Sequence, residues 1–309
     1  MARKTKAQIW AEFIAARTVF GIMGSMPRGL AVSTSTFISL IGYRALGRLR
    51  RIAERNLEIA LPGTSPKQRL GIVKGTFENL GRMLADSSKF SGYTRDDLER
   101  LVRFDFTPEQ EAEHERLRAA GRGAILLSPH LGNWEMLVFA YSAAYEPISY
   151  LARPLDNPLI EEMTLKNRTR FGNRPINKSN SVSEAVKVLR RGGILGVLAD
   201  VNAHPKEGVF VPFFGVQACT SAGPALLAMR TNAVIVPIAC VWDESAGHYR
   251  VIQGRVIEPA STGDREADIL STTEAFTGEV EKLVRDYPEQ WLWIHKRWKT
   301  RPPGEKELY

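Results

Sequence analysis

His130 and Glu135 are the pair of side chains in this sequence best suited to proton chemistry. They lie in the run Ser128-Pro129-His130-Leu131-Gly132-Asn133-Trp134-Glu135, between an apolar stretch and a helical pattern. A histidine takes and returns a proton near neutral pH, and a carboxylate beside it fixes its tautomer and stabilises the imidazolium that forms. On one continuous helix, five positions rotate a side chain by about 140°, and the two groups would not meet. With His130 in a loop just past a strand, and with Gly132 letting the chain bend, Glu135 in the first turn of the next helix reaches back to the imidazole. Open α/β sheets keep their ligand crevices at this end of their strands. Read alone, the pair also fits a loop histidine satisfied by local bonds.

The elements that must position this pair are legible in the pattern. Short apolar runs, Ala124–Leu127, Ile148–Leu151, Ile194–Leu198, Val234–Val241 and Tyr249–Ile252, read as strands. Trp134–Tyr145, Pro158–Arg170, Val182–Arg190 and Ala222–Arg230 read as the helices between them, and Glu274–Tyr287 as a late helix after a polar turn at Glu258–Asp268. Strands alternating with helices predict an α/β fold with a mostly parallel central sheet flanked by helices. Residues 51–115 read as helical, with Leu70, Val73, Phe77, Leu80 and Leu84 at helical spacing. The chain divides into an N-terminal segment, 1–50, and a catalytic domain, 51–309.

The 309 residues carry 42 Lys and Arg against 34 Asp and Glu, a formal charge of +8, which implies an acidic partner. No helix-turn-helix, zinc or RNP-type motif points to nucleic acid. Cys219 and Cys240 form neither a disulfide framework nor a metal motif, and read as reduced core residues. No metal site is expected. Within residues 1–50, Glu12 is the only carboxylate. The longer uncharged run there, Gly29–Tyr43, has 15 residues, five of them Ser or Thr. A spanning helix wants about 20 apolar residues, so this segment is expected to lie in a membrane interface with its basic residues at the headgroups. The plainer reading is a pair of helices capping a soluble domain. No small-residue cleavage site follows the first apolar run, so a secretory signal is not expected.

His130-Leu131-Gly132-Asn133-Trp134-Glu135 resembles the H-x(4)-D/E block of glycerolipid acyltransferases, in the form found in the late acyltransferases of lipid A biosynthesis and in the related phosphatidylinositol mannoside acyltransferases. Arg153-Pro154-Leu155-Asp156-Asn157-Pro158-Leu159, Leu198-Ala199-Asp200, the turn Phe210-Val211-Pro212-Phe213-Phe214-Gly215 and the block Glu289–Pro302 resemble further family segments in the same order. Arg55-Asn56-Leu57 is similar to an N-terminal one, so the likeness runs from about residue 50 to the end. Lys166-Asn167-Arg168 stands where several members have Arg-Gly-Arg, and Asp200-Val201-Asn202 where the lipid A enzymes commonly have a second Asp and Tyr-Gly.

The resemblance implies a glycerolipid-acyltransferase-like fold and acyl transfer from an acyl carrier protein or coenzyme A thioester, with no other cofactor. The implied acceptor is a hydroxyl of an anionic glycolipid, a lipid A precursor, at the cytoplasmic face of the bacterial inner membrane. His130 would be the general base with Glu135 as its partner. Arg168 would bind phosphate or the developing oxyanion, with Arg170 as the neighbouring alternative. Asp200 would orient basic groups in the crevice, or serve only as a turn or cap residue. Arg153 and Asn133 complete the substrate-binding candidates, Arg153 with a solvated strand-end role as its alternative. Trp291, Trp293 and Trp298 with Arg297, Lys299 and Arg301 read equally as a lipid-facing surface or as salt bridges over a packed Trp core. Of the other histidines, His295 stands out because it lies in the matched block. The same pair would serve a phospholipid or phosphatidylinositol mannoside acyltransferase, and a non-catalytic lipid-binding protein of this fold is the alternative outside enzymes.

Overall fold

The computed structural model describes residues 4–151, 154–176 and 181–309. Arg153 lies outside the described residues, so its expected role has no structural counterpart here. Among those described, a seven-stranded sheet is built from β1 (Val102–Phe104), β2 (Ala124–Ser128), β3 (Ile148–Leu151), β4 (Arg174–Ile176), β5 (Ile194–Leu198), β8 (Val234–Asp243) and β9 (His248–Gln253). Its order is β1-β9-β8-β2-β5-β3-β4. Only the β8–β9 pair is antiparallel within it. Every residue of β2 is buried, as expected of a central parallel strand covered on both faces. All five apolar runs are strands. The three-residue β1 and β4 escape the pattern because a period cannot be read over so few positions.

β6 (Gly208–Phe213) and β7 (Val216–Ser221) form a separate hairpin. The sequence shows this region only as a turn. The turn is Phe214-Gly215, with φ of 53° and 73°, a left-handed pair that matches the twist of the strands it joins.

The helices cover both faces. α3 (Gly47–Ala60), α4 (Pro66–Lys89), α9 (Ser181–Arg190), α10 (Gly223–Thr231) and α11 (Arg265–Asp286) enclose one core with Ile125, Leu127 and Leu195 of the sheet. α5 (Arg95–Leu101), α6 (Pro108–Ala119) and α7 (Trp134–Ala144) enclose the other with Ala124, Leu126 and Ile194. Alternate residues of β2 thus point to opposite cores, as the pleat requires. α11 starts well before Glu274, which corrects the expected turn at Glu258–Asp268. Asp264 caps the helix by accepting from Glu266 N and Ala267 N at 3.0 and 3.1 Å, so the polar residues there are capping chemistry rather than loop.

The N-terminal segment forms α1 (Lys6–Ser25) and α2 (Arg28–Ala45). The Ser and Thr content of α2 has a packing reason. Ser35 Oγ donates to Gly81 O at 2.8 Å and Ser39 Oγ to Phe77 O at 2.6 Å, both on α4. A Cβ on Gly81 would stand 2.5 Å from Thr36 Cα, so glycine is what lets these helices approach so closely. On the outward side Trp10, Ile14, Ile22, Leu30, Phe37, Ile38 and Ile41 are exposed. Among the described residues no helix is long and apolar enough to cross a membrane. α1 is also tied to α8 (Pro158–Arg168): Asn157, the α8 N-cap, donates to Ile9 O and Glu12 Oε2, each at 2.9 Å.

Candidate active site

His130 follows β2 by two residues, and Asp200 follows β5 by two. Because Ser128 pairs with Leu198 in the parallel register, the two side chains emerge next to each other at the C-terminal edge of the sheet. His130 Nδ1 lies 2.6 Å from Asp200 Oδ1, and His130 N–H donates to Asp200 Oδ2 at 2.7 Å. Trp291 Nε1 donates to the same Oδ2 at 2.7 Å. A carboxylate only accepts, so the proton sits on Nδ1 and the lone pair on Nε2, the form a general base needs. This corrects the expected pairing: the carboxylate that orients the imidazole is Asp200.

Glu135 turns instead toward α8. Arg168 Nε donates to Glu135 Oε2 at 2.9 Å, and Nη2 to Oε1, making a two-pronged pair. The reason is geometric. Glu135 lies in the first turn of α7 and Arg168 is the last residue of α8, so the pair joins these two helix ends.

The electrostatics follow from burial and these charges. Burial by itself would lower the His130 pKa. The charge and hydrogen bond of Asp200, with a smaller contribution from the Glu135 charge, outweigh it and hold His130 above its ordinary value. Asp200, fully buried, is likewise opposed by desolvation but is held well below the usual carboxylate range by His130 and Trp291. For Arg168 burial opposes the charge, and the hydrogen bond and charge of Glu135 raise its pKa despite that.

The loop between His130 and α7 is fixed through its backbone. Leu292 N donates to His130 O at 3.0 Å, Gly132 N to Gln290 O at 3.1 Å, and Asn133 N to Cys240 O at 2.7 Å. Asn79 Nδ2 on α4 donates to Gly132 O at 2.8 Å. Gly132 has φ of +62°, and a Cβ there would stand 2.0 Å from Cys240 O. The bend assigned to it from sequence is therefore required twice, by the dihedral and by the close approach of β8.

Beyond Trp134, whose ring stands edge-on to His130 with centroids 4.9 Å apart, a largely apolar cavity opens under α7. Its cavity volume is about 90 Å³, and it opens to solvent at its mouth. Leu126, Leu137, Val138, Ile148 and Gly196 wall it, and Glu135 with Arg168 line it beside them. Such a slot suits an alkyl chain.

Among the described residues, the candidates Asn133 and Arg170 do not line this cavity. Asn133 is fully buried, and its side chain caps α7 by accepting from Met136 N at 3.0 Å, so it holds structure rather than substrate. Arg170 is exposed and spends Nη1 on Phe90 O. Trp291, Trp293 and Trp298 are fully buried and Arg297 nearly so, which settles that block as a packed core and overturns the lipid-facing reading of its tryptophans. Arg297 donates to Cys219 O and Thr220 Oγ1, and burial lowers its pKa to about 10. His295 packs its ring edge-on to Trp291, which donates to Asp200, and bonds Leu292 O at 2.7 Å; burial lowers its pKa. The sequence gives no sign of Trp291 as a donor to Asp200 beyond its place in the matched C-terminal block. Among the described residues no cluster of His, Cys, Asp and Glu is arranged to hold a metal, and Cys219 and Cys240 are buried free thiols.

The family model for the bacterial lipid A biosynthesis acyltransferases matches residues 2–300. The chain belongs to that family. It is an acyltransferase. It is similar to the lipid A biosynthesis lauroyltransferase of Escherichia coli (strain K12), at 30% identity over 272 residues, 87% of this chain and 85% of that one. It is similar to the palmitoleoyltransferase of the same organism at 27% over 286 residues, 92% and 90% of the two chains. With that organism's myristoyltransferase it shares 25% over 304 residues, 97% and 90%.

Proposed function

We propose that this acyltransferase moves a fatty acyl chain from an acyl carrier protein or coenzyme A thioester to a hydroxyl of an anionic glycolipid, a lipid A precursor. The observation that carries this reading is the His130–Asp200 pair, tautomer-fixed, beside an apolar slot flanked by the Glu135–Arg168 pair. His130 Nε2 removes the acceptor hydroxyl proton as the oxygen attacks the thioester carbonyl. The tetrahedral intermediate then expels the thiolate, and the proton on His130 goes to the leaving sulfur. The acceptor hydroxyl is itself the nucleophile, so no acyl-enzyme is formed. Asp200 stabilises the imidazolium at the midpoint. Arg168, steered by Glu135, is the cation that lines the slot among the described residues, and it serves an acceptor phosphate or the oxyanion.

The reading places catalysis in residues 51–309 and membrane contact in residues 1–50, on the cytoplasmic face of the inner membrane. The exposed apolar side chains of α1 and α2 support peripheral docking, with Trp10 and Phe37 more than half exposed. The test is acyl transfer to a lipid A precursor by the full chain and by His130→Ala. Loss of about 10²–10⁴-fold in a folded variant is expected. Wild-type turnover of that acceptor no faster than in the variant would refute the assignment. Transfer only to a phospholipid or a mannosylated inositol lipid would move the acceptor while keeping the chemistry.

A further inference from the structure

Asp86 on α4 stands outside the site described above. Its carboxylate is completely buried, yet it accepts four hydrogen bonds. Arg28 Nε reaches Oδ1 at 2.8 Å and Arg28 Nη2 reaches Oδ2 at 3.1 Å. The Tyr93 hydroxyl donates to Oδ1 at 3.1 Å and the Tyr249 hydroxyl to Oδ2 at 2.7 Å. Asn133 Nδ2 then donates to the Tyr249 oxygen at 3.2 Å, while Asn133 Oδ1 accepts the Met136 N–H that starts α7. One line of bonds therefore joins the first residue of α2 to the first turn of the helix that carries Glu135.

The direction of each bond is forced. A carboxylate beside a guanidinium offers no proton, so the Tyr249 proton must point at Asp86. The Tyr249 oxygen is then free to accept from Asn133 Nδ2, and together with the Met136 N–H, which only donates, it holds the amide with Oδ1 facing Met136. Burial, helped by the Asp86 charge, holds the Tyr249 pKa far above its ordinary value, so the hydroxyl stays a donor. Without the carboxylate the hydroxyl proton is free to turn toward Asn133 Nδ2, and the amide loses the acceptor that steadies it as the cap on α7.

We propose that Asp86 is a positioning residue for acyl transfer. Through Tyr249 it fixes the Asn133 cap and the first turn of α7, and through Arg28 it makes that geometry depend on how α2 is seated. Arg28 also lies over the rings of Trp242 and Tyr249, 4.7 and 5.9 Å from their centroids, so a shift of α2 moves several supports of the loop together. The proposal rests on the acyl-transfer reading above.

The experiment compares the full chain with Asp86→Asn, Tyr249→Phe, their double variant and Arg28→Gln. The amide in Asp86→Asn turns a donor toward either Arg28 or Tyr249, whereas Tyr249→Phe removes a single oxygen and guards against misfolding of the first variant. Amide exchange at residues 133–137 should quicken about tenfold or more in each variant, as loss of a helix cap implies. Turnover should fall about tenfold with KM for the donor within about twofold, and the double variant should be no worse than Asp86→Asn. Arg28→Gln should lose turnover while its cosedimentation with phosphatidylglycerol vesicles stays near wild type. Wild-type exchange at Met136 in folded Tyr249→Phe would overturn the proposal. So would additive losses in the double variant, or an Arg28→Gln defect that merely tracks vesicle binding. The exchange measurement needs no turnover, so a wild-type chain inactive on the lipid acceptor would sink the functional reading and leave this one to be judged separately.

Discussion

The variant Asp200→Asn tests the central correction to the sequence reading, because it removes one charge from a buried site that accepts three hydrogen bonds. Oδ2 takes two donors, His130 N–H and Trp291 Nε1, so the amide oxygen of the Asp200→Asn side chain would settle there. The amide NH₂ then faces His130 Nδ1, which must become an acceptor. The imidazole proton moves to Nε2, where the base is needed. A lost charge-assisted bond alone costs about 1.5–3 kcal/mol, roughly 10- to 150-fold. Reversal of the tautomer in a His–carboxylate pair costs about 10⁴ in kcat. The expected loss is therefore about 10³–10⁴-fold in kcat.

The pH dependence carries a sign. His130 acts when neutral, and its pKa is raised, so the wild-type rate should climb with pH through a limb above 6.5. Without the Asp200 charge, burial dominates and the residual limb should move to lower pH. The assay is thioester-to-lipid transfer from about pH 5 to about pH 9, with circular dichroism to verify folding. A folded variant within about tenfold of wild type, or a limb displaced upward, would refute the reasoning.

Arg168→Lys keeps a cation but loses the fork that grips Glu135, so most activity should be lost, whereas Arg170→Lys, whose side chain meets Phe90 O and the Phe171 ring away from the slot, should stay near wild type in the same kinetics. Gly132→Ala puts a Cβ 2.0 Å from Cys240 O at a positive φ, and should cost about 3 kcal/mol or more, read as a fall in Tm of roughly 5 °C or more together with lost turnover. Trp10→Ser with Phe37→Ser should weaken cosedimentation with anionic vesicles at unchanged Tm, since both side chains are exposed; unchanged sedimentation would remove the docking role from this face. Deleting residues 1–50 is the poorer test, because α2 covers α4 through Ser35, Ser39 and Gly81 and its removal would uncover a packed surface.

Much of the arrangement is legible because it is local. The five apolar runs, the helices between them and the bend at Gly132 all follow from periodicity and from one glycine, and the strand-end position of His130 follows from its neighbours. The extended start of α11 is hidden because Asp264 and Asp268 satisfy backbone donors, which in sequence looks like an ordinary polar turn. The hairpin at Phe214-Gly215 shows only its turn, since its strands mix inward and outward residues without a clean alternation. The tryptophans of the C-terminal block look equally suited to a lipid surface or to a core. Residue type gives affinity for an apolar environment and does not say which one.

The sequence by itself determined that His130 ends a strand, that Glu135 opens a helix, and that a basic, acid-poor segment precedes them. Only the tertiary structure decided which carboxylate meets the imidazole. Five residues separate His130 from Glu135 and seventy separate it from Asp200, yet it is Asp200 that bonds Nδ1. Strand adjacency is a non-local choice: β2 lies beside β5, and their register sets residue 128 against 198, so the positions two residues onward face each other. Glu135, carried away by the rotation of α7, meets Arg168 instead. A short stretch of chain can state which residues are near an edge, but which edges touch is settled by how the whole sheet buries its two faces.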